Sequence, residues 1–128
     1  MKLNALHARA GITPEVYRGS AWVAATRRER NRLRRGLSEP WDELLMAPDL
    51  VPAFDAFARW SVERGDVPFF DPGRRMLHGV PIYTDDGLAE GETVARQSGV
   101  EVARFTVPPF DRLEPLGLLP KRPAPGTA

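Results

Sequence analysis

Thirteen prolines and eleven glycines in 128 residues restrict this chain to short elements joined by extended connections. Proline lacks the amide hydrogen that a helix interior needs, yet it fits the first helical turn. Three prolines, Pro14, Pro40 and Pro52, stand at such starts. In "TPEVY", Thr13 is a candidate N-cap, Pro14 the first helical residue, and Glu15 suits the positive end of the helix dipole. This helix runs to about Arg35 and closes at Gly36. Another covers about Asp49 to Arg64, with Asp49 as cap, Pro52 in the first turn and Gly65 as the stop. Its Leu50, Ala53, Phe54, Phe57, Trp60 and Ser61 share one face at helical spacing and predict the main helical core. Between the two, "SEPWDELL" reads as a short helix capped by Ser38, with Trp41, Leu44 and Leu45 facing one way.

Beyond Gly65 the period changes. "RRMLHGVPIYT" reads as extended, and Pro81 predicts an edge strand or a bulge there. "TVAR", "QSG" and "VEVARFTV" predict a hairpin with Gly99 in its turn. Val100, Val102, Phe105 and Val107 cannot share one face of its second strand, so a twist or bulge near Ala103 is expected. The segment from Pro108 onward is proline-rich and extended rather than helical. The fold class that follows is α+β: about three helices in the N-terminal half, then a small antiparallel sheet and an extended tail. The compact domain is expected over 1–109 and the tail over 110–128.

The composition belongs to an ordered, water-soluble domain: 42% of residues are hydrophobic and 27% charged. The absence of cysteine excludes disulfides, thiolate metal sites and cysteine nucleophiles. No apolar run is long enough to span a membrane, and "MKLNALHARAG" does not read as a secretory signal. These features place the chain in a cytoplasm or in an assembly built there.

A net charge of +1 supplies no global field for nucleic acid, so any such attraction must come from local clustering. "TRRERNRLRRGL" has that clustering. Arg27, Arg28, Arg30, Arg32, Arg34 and Arg35 occupy six of nine positions. On a helical wheel they surround a thin stripe of Trp22, Thr26, Leu33 and Leu37, with Val23 beside it. So thin a stripe predicts light docking and guanidinium groups free to meet phosphate or an acidic partner. The same run also reads as a solvated helix face in an Arg-rich chain with sixteen arginines and two lysines.

Other constellations are weaker. Asp85, Asp86, Glu90 and Glu92 form an acidic loop without the alternating acids of a calcium loop, and its glycines are turn residues. His7 and His78 lack ligand partners at metal spacing. There is no nucleophile elbow, P-loop or dinucleotide glycine pattern. Arg74 and Arg75, near Asp71, suit either an anion or surface ion pairs. No catalytic residue, metal or cofactor is expected. Phe69, Phe70 and Phe110 flank prolines and suit either contacts between chains or lids on a small core, and Leu116, Leu118 and Leu119 of the tail suit docking on the chain's own domain or on a neighbouring subunit.

The stretch "HGVPIYTDDGLAEGE", residues 78–92, resembles a segment of small structural and accessory proteins of tailed bacteriophages. In that segment a G-V-P-I/V strand is followed by an acidic turn and L-x-x-G-E; this chain has Ala89 where proline is usual. The resemblance implies a virion or phage-accessory role and no catalytic residue. The leading expectation is therefore a non-enzymatic component acting by protein–protein contact, in a virion or the host cytoplasm. Its partners would be other virion proteins or copies of itself. The alternatives are a small nucleic-acid-binding protein using the arginine helix, and an inhibitor of a host enzyme or defence system.

Overall fold

The computed structural model describes residues 3–65, 70–71 and 74–113. The chain is α+β, with helices α1 (Ala5–Arg9), α2 (Pro14–Leu33) and α3 (Val51–Glu63). The strands are β1 (Glu43–Met46), β2 (Phe70–Asp71), β3 (Met76–Leu77), β4 (Val80–Thr84), β5 (Glu92–Gln97) and β6 (Val100–Thr106). They form one sheet in the order β2-β3-β4-β1-β5-β6. α2 and α3 lie against one face of it, and α1 packs on α2 through His7 and Tyr17.

The helix starts follow local chemistry. The Thr13 hydroxyl accepts from Val16 N at 3.2 Å, with Pro14 at the first helical position. α1 is closed by a reciprocal box: His7 N donates to Asn4 Oδ1 at 3.0 Å, and Asn4 N donates to His7 Nδ1 at 3.1 Å. Asp49 does not cap α3. A single 3-10 turn, Pro48–Leu50, precedes that helix, and Asp49 faces elsewhere.

Three expectations about the sheet are corrected. "SEPWDELL" is not a helix: Arg35 and Ser38 bridge across a tight turn, and Glu43–Met46 is a strand. A short apolar run suits a buried strand as well as a buried helix, and here the pairing decides. β1 lies inside the sheet, with Leu44 opposite Ile82 of β4 and opposite Ala95 of β5. Because β1 runs parallel to β4 and antiparallel to β5, the sheet is mixed rather than antiparallel. β4 is also interior, despite Pro81. Its pairing with β1 begins at Ile82, one residue past the proline, so the missing amide hydrogen costs no bond to β1.

The hairpin is as expected. Ser98 and Gly99 both take positive φ, 52° and 80°, the backbone of a two-residue turn that matches strand twist. The register shifts between Ala95 and Arg96, where Val102 is the extra residue beside Ala103.

Strand alternation divides the sheet. Leu44, Met46, Ala95, Ile82 and Val80 belong to the core cluster with α2 and α3. Glu43, Leu45, Glu92, Val94, Arg96 and Arg104 take the alternate positions and point to the other face. There, ion pairs cross the strands from Arg104 to Glu92 at 2.7 Å and from Arg96 to Glu43 at 3.0 Å. The Arg96 Nε in the second pair is misaligned for a hydrogen bond.

Light docking of α2 is corrected as well. Tyr17, Trp22, Val23 and Thr26 are nearly inaccessible. Trp22 meets Phe54 of α3 edge-on, 5.4 Å between ring centres, and donates from Nε1 to Thr93 Oγ1 of β5 at 2.8 Å. Gly19 lets the two helices touch, since a Cβ there would overlap the Ala53 carbonyl. Only the last turns of α2 leave the core. The helix stops at Leu33, and Gly36, φ 63°, shapes the following turn rather than capping the helix. On α3, Ala53, Phe54, Ala58 and Ser61 are buried, while Phe57 and Trp60 are only half-buried.

Candidate partner-contact surface

The arginine run does not form one face. Arg27, Arg28, Arg30 and Arg32 belong to the end of α2, and Arg34 and Arg35 to the turn after it. Arg30 is tied down: its Nε donates to both Glu39 oxygens, at 2.7 and 2.9 Å. Arg32 pairs with Glu29 one turn back at 2.6 Å. Arg27 is half-buried and its Nε reaches His78 Nε2 at 3.3 Å. Arg34 has a buried Nε without a hydrogen-bond partner among the described residues. Arg28 and Arg35 are exposed. Six guanidinium groups against Glu29 and Glu39 leave a local surplus of four positive charges.

This crowding acts on its titratable neighbours. Burial, then the charges of Arg30 and Arg27, hold the His78 imidazole below its ordinary value near 6.5. The hydrogen bond from Arg30 holds the Glu39 carboxyl below its usual range. Burial, reinforced by Arg30, lowers Arg27.

The wheel placed Leu37 on the apolar stripe, and this is corrected. The helix ends four residues earlier, and Leu37 stands at the tip of the Arg35–Ser38 turn with 90% of its surface exposed. The turn is held from both sides, by the Arg35–Ser38 bridge and by the Arg30–Glu39 pair. The result is an apolar tip on a braced turn, beside Arg34 and Arg35. Sequence reasoning missed it because the helical period was carried past the helix end.

The predicted aromatic contacts separate. Phe110 packs edge-on against Tyr17 at 5.9 Å and is half-buried in its own domain. The Phe70 backbone pairs with Leu77 in β2–β3. Phe69, Leu116, Leu118 and Leu119 lie outside the described residues. Other exposed apolar side chains are Leu6, Tyr83, Val100 and Val102. Arg75 turns to Asp55, with two hydrogen bonds of 3.1 and 3.0 Å, and this pairing raises its pKa.

In the acidic loop, Asp85 accepts from Gly87 N at 2.8 Å, and Glu92 accepts from Ala89 N at 3.1 Å while pairing with Arg104. Among the described residues no group of three or more His, Asp or Glu is placed to hold a metal ion, and no helix is long and apolar enough to cross a membrane. No protein-family model, curated protein or solved structure matches this chain.

Proposed function

We propose that this protein is a non-enzymatic assembly or accessory component that works by binding another protein, with the Leu37 turn as its anchor. One observation carries the reading: a 90% exposed leucine on a braced turn, beside arginines. A lone exposed leucine is ordinary on a protein surface. A leucine on a rigid tip with a cationic rim fits a partner with an apolar pocket inside an acidic border. Filling that pocket would be worth about 1.5–3 kcal/mol, and bracing lowers the ordering cost of binding.

A nucleic-acid partner fits this arrangement less well. It offers nothing comparable for the leucine, and Arg30 and Arg32 already meet carboxylates of their own chain. The likeness of residues 78–92 to tailed-phage proteins points the contact toward virion assembly.

The test is affinity purification of tagged wild type and Leu37→Ser from producing cells, after nuclease treatment. The expected result is capture of a virion structural protein, or of untagged copies of the chain, by the wild type and its loss in the variant. Identical capture by both, or capture that nuclease abolishes, contradicts the reading.

A further inference from the structure

A cleft of about 210 Å³ opens between α2 and the chain that leaves β6. Ala21, Ala25 and Arg28 line one side, one stripe of the helix at i, i+4, i+7 spacing. Val107, Arg112 and Leu113 belong to the other side. Ala21, Ala25, Val107 and Leu113 are each less than a tenth exposed, so the floor is apolar, and the two alanines leave its space open.

Among the described residues, the charge left over in this cleft has one sign. The carbonyls of Val107 and Pro108 already accept from Arg18, at 3.2 and 3.1 Å. The Arg18 guanidinium is itself engaged, with Asp49 at 2.8 Å. Arg28 and Arg112, from distant parts of the chain, therefore bring the charge. Neither guanidinium has an ion-pair or hydrogen-bond partner among the described residues. Two like charges on one cleft repel, and an anion between them relieves that repulsion.

We infer that this cleft receives the C-terminal residue of a partner polypeptide. Its carboxylate meets Arg28 and Arg112, and its apolar side chain rests on the alanine floor. Size supports that occupant. The cleft equals about seven water molecules in volume, below the range of pockets for larger ligands. It suits one side chain and one carboxylate. A chain terminus carries both on a single residue, whereas an internal acidic residue needs a neighbour to supply the apolar part.

The inference rests on the reading of the protein as one that binds other chains, but it uses a different surface from the Leu37 turn. The test is amide and arginine-side-chain NMR of the full chain, titrated with N-acetyl-Ala-Leu, its C-terminal amide and hexanoate. The free-acid dipeptide is expected to give saturable shifts at Ala21, Ala25, Val107 and Leu113. The amide should bind about tenfold more weakly, and Arg28→Gln and Arg112→Gln should each weaken the acid about tenfold with spectra elsewhere unchanged. Arg28→Lys should retain part of the affinity.

Absent shifts, equal binding of acid and amide, or hexanoate binding as tightly as the dipeptide would overturn the assignment. If the cleft fails this test while Leu37-dependent capture persists, only the terminus site is lost. If capture fails while the dipeptide binds, the Leu37 anchor is lost instead.

Discussion

Arg30 donates through Nε to both carboxylate oxygens of Glu39, at 2.7 and 2.9 Å, and so fastens the last turn of α2 to the chain that leaves the Leu37 turn. The two side chains are 15% and 29% exposed, between the screened surface pair and the buried one. Glu39→Gln should therefore cost about 1–2 kcal/mol in denaturant unfolding. It should also loosen the turn, seen as faster amide exchange at Gly36 and Leu37. A variant with unchanged exchange would mean that the Arg35–Ser38 bridge holds the turn alone.

Gly19 gives a prediction in which two effects oppose. Alanine in place of a helical glycine favours the helix by roughly 1 kcal/mol. Here a Cβ would overlap the Ala53 carbonyl and crowd the Phe57 Cβ, so α2 and α3 must separate. Overpacking of this kind typically costs about 1–3 kcal/mol. Gly19→Ala should thus lower the melting temperature, and a rise would show that the helices part easily.

Trp22 and Thr93 make a buried hydrogen bond of 2.8 Å between α2 and β5. Thr93→Val keeps the shape and removes the acceptor, leaving the indole N–H unpaired in a dry core. Equilibrium unfolding should show a loss of about 1–3 kcal/mol, and Thr93→Ser should restore the bond though not the methyl packing. Equal stabilities for the Val variant and the wild type would show that the indole finds another acceptor.

His78 predicts a pH dependence. In the unfolded chain the imidazole takes up its proton near 6.5. In the folded protein, burial and then Arg30 and Arg27 hold that proton off to lower pH, with Arg34 adding and Glu39 opposing. The unfolded state binds more protons in this window, so stability falls as pH drops below 6.5 toward the folded value. The contribution from Glu39 disappears later, as pH falls below 4.5. His78 has φ 54°, so His78→Asn tolerates the backbone and should flatten the first phase only. An unaltered pH profile in that variant would assign the loss to other groups.

The elements legible in the sequence were those set by neighbouring residues. Thr13, Pro14 and Glu15 mark the start of α2 by capping and dipole chemistry, and Gly99 marks a turn by its backbone freedom. β1 was hidden because "ELLM" becomes a strand only through partners in β4 and β5, dozens of residues later. The Arg30–Glu39 and Arg18–Asp49 pairs are hidden for the same reason, since pairing across elements leaves no spacing to read. At the candidate surface, the arginine cluster was visible and the exposed leucine was not. Its exposure depends on the helix ending at Leu33, before the period that placed it on the apolar stripe could apply.

The most direct test of the Leu37 anchor is a photo-crosslinker, p-benzoylphenylalanine, placed at position 37 and irradiated in extracts of producing cells at low and high salt, with position 63 as an exposed control on α3. The account predicts one discrete protein adduct from position 37, stronger at low salt because the arginine rim contributes, and none from position 63. Adducts to nucleic acid, or equal yields from both positions, would contradict it.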